Sequence, residues 1–259
     1  MNFAEDVALL RDAAIQAGQL AVAQRQKGLK IWSKSGGSPV TDADLAANVL
    51  LGNLLRGARP DYGWLSEETK DDRARLSARR VFVVDPIDGT AAFMKGRPWF
   101  TVALAVIEDG AVVAAVVHAP ALNDTYEATL GGGAWLNGAP AQASRTTRLE
   151  DSSMLGDPAA FKPPLWPKLR FERRNSIALR MALVGAGAFD AAVALSPKHD
   201  WDVAAGALIA TEGGARVTDA QGGAYRFNRP EPFQGALVCA APALHPLILQ
   251  RTAPIEAPV

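Results

Sequence analysis

The chain has 259 residues, 49% of them hydrophobic, which is enough for a substantial core and excludes a disordered or fibrous protein. Lys and Arg number 27, as do Asp and Glu, so no basic excess marks nucleic acid or an anionic membrane as the main partner. The start lacks a basic stretch followed by a long apolar one, and no run reaches the roughly 20 apolar residues of a membrane span, so a soluble cytoplasmic protein is expected.

Residues 3–26 place Val7, Leu10, Ala14, Ala17 and Ala21 at helical spacing, which predicts a long amphipathic helix. "KSGGSPV" breaks it, and a second helix follows in "DADLAANVLLGNLLRGARPD", with Thr41 or Asp42 as its N-cap. "YGWLSEET" reads as a short strand ending in two carboxylates, and "DDRARLSA" as a solvated link or short helical turn. "VFVVDPIDGT" is a buried strand that ends in two acids, a glycine and a threonine. The runs to Ala141, with turns at "EDG", the triple glycine and "LNG", predict an antiparallel meander. From Gln142 a proline-rich connection with little regular structure, "DPAAFKPPLWPKL", leads to a helix in "SIALRMALVGAGAFDA" that runs out at Gly185 and Gly187, and to one in "WDVAAGALIATEGG" with Gly213 and Gly214 as its stop. A hairpin is expected in "ARVTDAQGGAYRF", a strand in "GALVCAA", a last helix in "HPLILQR" and a frayed tail after it. Cys239, the one cysteine, reads as a small buried hydrophobe. Two parts are expected, 1–141 with an antiparallel sheet and 142–259 as a smaller α/β part, stacked as sheets covered by helices.

Acidic residues gather at the ends of these elements: Asp42 and Asp44, Glu67 and Glu68, Asp85 and Asp88, and Asp202. An all-oxygen set suits Mg²⁺, Mn²⁺ or Ca²⁺, and three histidines and one cysteine make a zinc site a poor fit. For Asp42 a capping role competes with ligation, since acids at helix N-termini favour the macrodipole. Asp85 and Asp88 point to a cation more strongly, because two charges that end a buried strand need one nearby. Gly89 lets backbone approach an anion closely, and a helix starting there would offer the N–H groups of Gly89 and Thr90. The letters D-G-T also occur in phosphatases of the haloacid dehalogenase type, but there the spacing is D-x-D-G-T and the nucleophile lies near the chain's start.

"VTDAD", "WLSEE", "DPIDGTAAF" and "WDVAAGALIATEGG", in this order, resemble the inositol monophosphatase superfamily of Mg²⁺-dependent, Li⁺-sensitive phosphomonoesterases. The resemblance implies a layered αβαβα sandwich of α+β class, and two or three Mg²⁺ (or Mn²⁺) ions. It assigns Glu67, Asp85 and the Ile87 carbonyl to one ion and Asp85, Asp88 and Asp202 to a second, with a third leaning on Glu67. Gly89 and Thr90 would bind phosphate, while Asp44 with Thr90 would orient and deprotonate the attacking water, Glu67 being counted with them as catalytic. It allows a homodimer, for which the surface pattern names no interface.

Within that superfamily, "LSEE" and "DGTAAFMKG" look like the 3′(2′),5′-bisphosphate nucleotidase branch, which implies 3′-phosphoadenosine 5′-phosphate as substrate and AMP and phosphate as products. Leu195 stands where inositol-preferring members carry a hydroxyl-binding glutamate. Arg174, Arg180 and Lys198 are candidates for a second phosphate. An inositol or sugar-phosphate phosphatase is the alternative, and "KGRPWF" is reminiscent of sugar-phosphatase relatives. A silent phospho-ligand-binding protein is the remote one.

Overall fold

A computed structural model describes residues 3–34, 36–158, 161 and 164–252. Helix α1 (Phe3–Lys27) buries the predicted stripe of Val7, Leu10, Ala14, Ala17 and Ala21. Strands β1 (Ile31–Ser33) and β2 (Pro39–Thr41) pair antiparallel into a small hairpin that three-residue strands left without a periodic signature. Thr41 caps α2 (Asp42–Ala58), and Asp42 instead accepts the Lys30 N–H at 3.1 Å. After β3 (Gly63–Ser66) the helical-turn reading holds: a 3-10 turn at Ala74–Ser77 buries Arg75. The Arg75 guanidinium meets Asp71 at 2.7 Å, Asn228 Oδ1 at 2.6 Å and the Arg229 carbonyl at 3.0 Å, so this stretch is a structural tie and not a solvated link.

Next come β4 (Arg80–Asp88), α3 (Thr90–Met94), β5 (Thr101–Glu108), β6 (Ala111–Ala119), β7 (Asp124–Thr129), β8 (Ala134–Leu136) and β9 (Ala139–Ala141). β3 to β9 form a seven-stranded sheet in sequence order. Its two-residue turns at Asp109–Gly110 and Asn137–Gly138 have positive φ at both positions, the geometry that twisted hairpins favour. The sheet is antiparallel except that β3 runs parallel to β4, because the 3-10 segment carries the chain back across the sheet before β4 begins.

The remaining elements are β10 (Ser153–Leu155), β11 (Arg170–Glu172), α4 (Ile177–Gly185), β12 (Ala191–Ala194), β13 (Lys198–His199), α5 (Asp200–Glu212), β14 (Arg216–Thr218), β15 (Phe233–Gln234), β16 (Leu237–Ala240) and α6 (His245–Thr252). A five-stranded mixed sheet has the order β11-β10-β12-β16-β14, and β13 pairs with β15. The hairpin expected after Gly214 does not form. The Asp219 carboxylate accepts the N–H groups of Gln221 (2.9 Å) and Gly223 (2.7 Å), which turns the chain away, and β14 pairs with β16 instead. Around the proline-rich connection, Phe161 and Trp166 are buried against each other with ring centroids 4.9 Å apart. Thr252 is buried in α6 and the tail beyond it lies outside the described residues.

Strand alternation builds the layers. Phe82, Val84, Leu104 and Val106 pack against Leu10, Leu51 and Leu55 of α1 and α2. Val81, Val83, Ala103 and Ala105 face the opposite way, into a core with Met181 of α4, Val203 of α5 and Cys239 of β16. Ile248 of α6 closes the outer side of the second sheet with Met154, Val238 and Ala240. The result is the layered αβαβα sandwich that the motifs imply.

The two central helices approach closely at Gly206, where an added Cβ would lie 2.7 Å from Met181 Cβ and 3.3 Å from the Ala178 carbonyl. A mid-helix Gly→Ala normally gains about 1 kcal/mol, but forcing a methyl into packed backbone costs roughly 1–3 kcal/mol. Gly206→Ala is therefore expected to lower Tm by a few degrees in scanning calorimetry. A raised Tm would show that the helices separate freely.

Candidate active site

The apolar run of β4 ends in a register shift opposite β5, between Asp85 and Asp88, where Pro86 has no N–H for the ladder. Both carboxylates are buried. Asp85 Oδ1 accepts the Ile87 N–H at 3.1 Å. Asp88 Oδ2 accepts the Ser176 hydroxyl at 2.6 Å and the Ala178 N–H at 2.7 Å, so the end of β4 caps α4 with a negative charge. Gly89 follows at φ 93°, and a Cβ there would lie 2.8 Å from the Trp99 carbonyl. Only glycine fits that turn. Helix α3 starts at Thr90, so the first N–H groups have no intrahelical partner.

Asp44 comes from the first turn of α2. Its Oδ2 accepts the Thr41 N–H at 2.8 Å while the Thr41 hydroxyl oxygen accepts the Asp44 N–H at 3.4 Å, the capping box that starts the helix, and the Thr41 hydroxyl also donates to Oδ2 at 2.5 Å. Its Oδ1 lies 3.1 Å from the Thr90 hydroxyl, which is also 3.1 Å from the Ile87 carbonyl. The cap thus orients the carboxylate that faces Thr90. Burial raises the Asp44 pKa, with the Thr41 and Thr90 hydrogen bonds opposing it. Glu67 follows β3, tied by its N–H to the Val84 carbonyl at 3.2 Å. Asp202 sits in the first turn of α5 and accepts the His199 N–H at 2.8 Å.

Four elements therefore bring Asp44, Glu67, Asp85, Asp88 and Asp202 close enough for their charges to interact. Burial, then the charges of Glu67, Asp88, Asp202 and Asp44, push Asp85 far above the usual carboxylate range. Burial pushes Asp88 to about 6 against the pull of its Ser176 and Ala178 bonds. Burial and the Asp88 charge push Asp202 to about 7. Lys34, between β1 and β2, reaches in with Nζ 2.7 Å from Glu67 and 2.6 Å from Glu68. Its burial would lower its pKa, and the two glutamates outweigh that and raise it. In the sequence neither Lys34 nor Ser176 stands out as a site residue, and Glu68 does so only as the acidic neighbour of Glu67. Ser176 stood before an apolar helical run and was legible as an N-cap, whereas nothing local links Lys34 to Glu67.

Of the three cations expected beside the site, Arg180 and Lys198 line a cavity of about 620 Å³ together with Leu195, Asn175 and Arg173. Burial lowers the pKa of both Arg180 and Lys198. Lys198 Nζ donates to the Ser196 hydroxyl at 2.6 Å, and Arg180 Nε to the Arg174 carbonyl at 2.5 Å. The Arg174 side chain is placed apart from the cavity, paired with Glu172 at 3.0 Å and lying over the Phe189 ring at 4.8 Å. Arg173, its neighbour, takes that place. Alternation along an irregular segment gave no means to choose between them.

Residues 4–256 match the profile of the inositol monophosphatase family. The chain belongs to that family. It is 35% identical over 208 residues to a fructose-1,6-bisphosphatase/inositol-1-monophosphatase of Thermotoga maritima, covering 77% of this chain and 78% of the relative. It is 34% identical over 215 residues to the 3′(2′),5′-bisphosphate nucleotidase CysQ of Escherichia coli K12, covering 80% and 87%. The fold matches a solved Thermotoga maritima IMPase with a TM-score of 0.83 at 30% identity over 95% of each chain. Inositol monophosphatase family members are phosphatases, and metal-dependent ones. The donor set here suits a hard divalent ion in chemistry: every group is an oxygen, and the raised pKa values of the buried carboxylates show that nearby cations such as Lys198 compensate their charge only in part. Among the described residues, no three acidic or imidazole groups are already drawn together about one point, so the carboxylates would have to close on an ion. No helix among the described residues is long and apolar enough to cross a membrane.

Proposed function

We propose that the chain is a divalent-metal-dependent phosphomonoesterase whose substrate carries a second anionic group on its leaving alcohol, with 3′-phosphoadenosine 5′-phosphate as the first choice. The observation that carries this reading is the adjacency of two features: the carboxylates around the Gly89–Thr90 turn, and the cavity lined by Arg173, Arg180 and Lys198. Asp88 and Asp202 contribute to the charge felt by Lys198, so the two features share one electrostatic neighbourhood.

In this reading Glu67, Asp85, the Ile87 carbonyl, Asp88 and Asp202 hold the metal, one or more Mg²⁺ ions, with Mn²⁺ as a substitute. When bound, such ions lower the pKa of the attacking water and neutralise charge on the leaving oxygen. The chain's own part is positioning and proton transfer. The N–H groups of Gly89 and Thr90 receive the phosphate oxygens. The Thr90 hydroxyl passes a proton from the attacking water to Asp44 Oδ1, which burial keeps basic. Leu195 lines the alcohol side with a group that offers no hydrogen bond, which disfavours a polyhydroxylated ring. The second reading, a sugar bisphosphate such as fructose 1,6-bisphosphate, draws on the same three cations.

The test compares phosphate release in Mg²⁺ from 3′-phosphoadenosine 5′-phosphate, fructose 1,6-bisphosphate and inositol 1-phosphate. A bisphosphate is expected to lead, and the exposed Arg173→Ala and the Lys198→Ala are each expected to raise its KM by about tenfold, the worth of one charge-assisted contact, while leaving inositol 1-phosphate unaffected. If inositol 1-phosphate leads, or both substitutions are silent, the second-anion reading is lost.

A further inference from the structure

The turn that carries Glu67 is held by little backbone. Beyond the Glu67 N–H bond to Val84, its only other backbone bond among the described residues is from the Thr69 N–H to the Ser66 carbonyl at 3.3 Å. What fixes it is one side chain of α2. Asn48 Oδ1 accepts the hydroxyl of buried Ser66 at 2.7 Å, and that hydroxyl oxygen accepts the Glu68 N–H at 3.3 Å. Asn48 Nδ2 donates to the Thr69 hydroxyl at 3.0 Å, which also receives the Trp64 indole N–H at 3.3 Å. The amide therefore grips the chain on both sides of Glu67 and Glu68, using donor and acceptor at once.

Asn48 lies one helical turn after Asp44, on the same face of α2. A single rigid helix thus presents the carboxylate that faces Thr90 and the amide that fixes the Glu67 turn. Lys34, from the β1–β2 hairpin, also binds the carboxylates of Glu67 and Glu68. With Asn48 removed, no hydrogen bond among the described residues would link α2 directly to the Glu67 turn.

We infer that Asn48 is a positioning residue, which through Ser66 and Thr69 fixes Glu67 relative to Asp44 and so sets the affinity of the site for a divalent cation. This rests on the metal reading above.

The test is Mn²⁺ binding to the full chain, followed by electron paramagnetic resonance of free Mn²⁺, for the wild type, Asn48→Leu, Ser66→Ala, the double variant, and Asn53→Leu as an exposed control on the same helix. Asn48→Leu is expected to weaken Mn²⁺ binding by about tenfold, the usual cost of losing an outer hydrogen-bonding partner of a ligand. Ser66→Ala should weaken it in the same direction, and the double variant should bind no worse than Asn48→Leu alone, because both act through one clamp. In Mg²⁺-dependent turnover the loss should appear as a higher Mg²⁺ requirement with kcat at saturation nearly unchanged. Unchanged Mn²⁺ isotherms for both single variants overturn the assignment and leave the metal reading intact, as does additive loss in the double variant. A wild type that binds no Mn²⁺ overturns both.

Discussion

Asp85→Asn is expected to abolish turnover and, in metal-free protein, to raise Tm. The two effects have one cause. Asp85 is fully buried, and burial together with the charges of Glu67, Asp88, Asp202 and Asp44 makes its ionised form costly. Asparagine has the same shape and keeps an oxygen for the Ile87 N–H, so little packing is lost and one repelling charge disappears. Without a cation the substitution relieves strain. With one, it removes a carboxylate proposed to hold the metal, and several kcal/mol of lost charge stabilisation corresponds to a fall in kcat of about 10³-fold or more. Turnover within tenfold of wild type would end the metal reading. A Tm that falls in metal-free buffer would show that the Asp85 charge is compensated by something the geometry does not display.

Chelation is expected to stop phosphate release entirely, and the gain in Tm on restoring Mg²⁺ should grow as pH rises through 6 and 7. The sign follows from the raised carboxylates. Asp88 and Asp202 have ordinary values of 3.8 when unfolded and values of about 6 and about 7 in the metal-free fold. Between 3.8 and those values the folded state binds more protons than the unfolded one, so metal-free stability falls as pH rises across this window. A cation binds the deprotonated pair and cancels the penalty, so its benefit is small at pH 5 and full above pH 7. The three histidines, His118, His199 and His245, have lowered values and act in the opposite direction; the contribution of His118 and His245 is common to both measurements, while His199, which feels the charge of Glu67, adds a smaller change of its own. Calorimetry with and without Mg²⁺ at several pH values gives the result directly. A Mg²⁺ increment independent of pH would mean that Asp88 and Asp202 are not the groups that the ion meets.

Much of this molecule could be read from its residues because the strong elements obey simple periods. The 3.6-residue stripe of α1, the apolar run of β4 and the Asn-Gly and Asp-Gly turns each express a local rule, and each is where it was expected. The candidate site was legible for a different reason. Asp44, Asp85, Asp88 and Asp202 end or begin elements, so their positions mark where the chain comes to a common edge. What escaped was everything decided by distant partners. Arg75 reads as a surface charge until Asn228 is folded against it, and Lys34 reads as loop until its hairpin reaches Glu67. The missing strand after β14 was lost to the carboxylate of Asp219, which competes for backbone N–H groups that a hairpin would need. Arg173 and Arg174 differ by one residue in an irregular segment, where no period assigns faces.

The bonds that Asp88 accepts from Ser176 and Ala178 have an implication for how the enzyme fails. The acid at the tip of β4 is also the anchor of α4, a helix that begins far along the chain at Ile177. Disengaging α4 would leave Asp88 without its donors, and Asp202, on α5 packed beside it, would leave with the same layer. Damage to the central helices, by a nick, a truncation or heat, therefore reaches the candidate active site at once. Activity should vanish with the first cooperative step of unfolding and not survive in any fragment that lacks the second sheet.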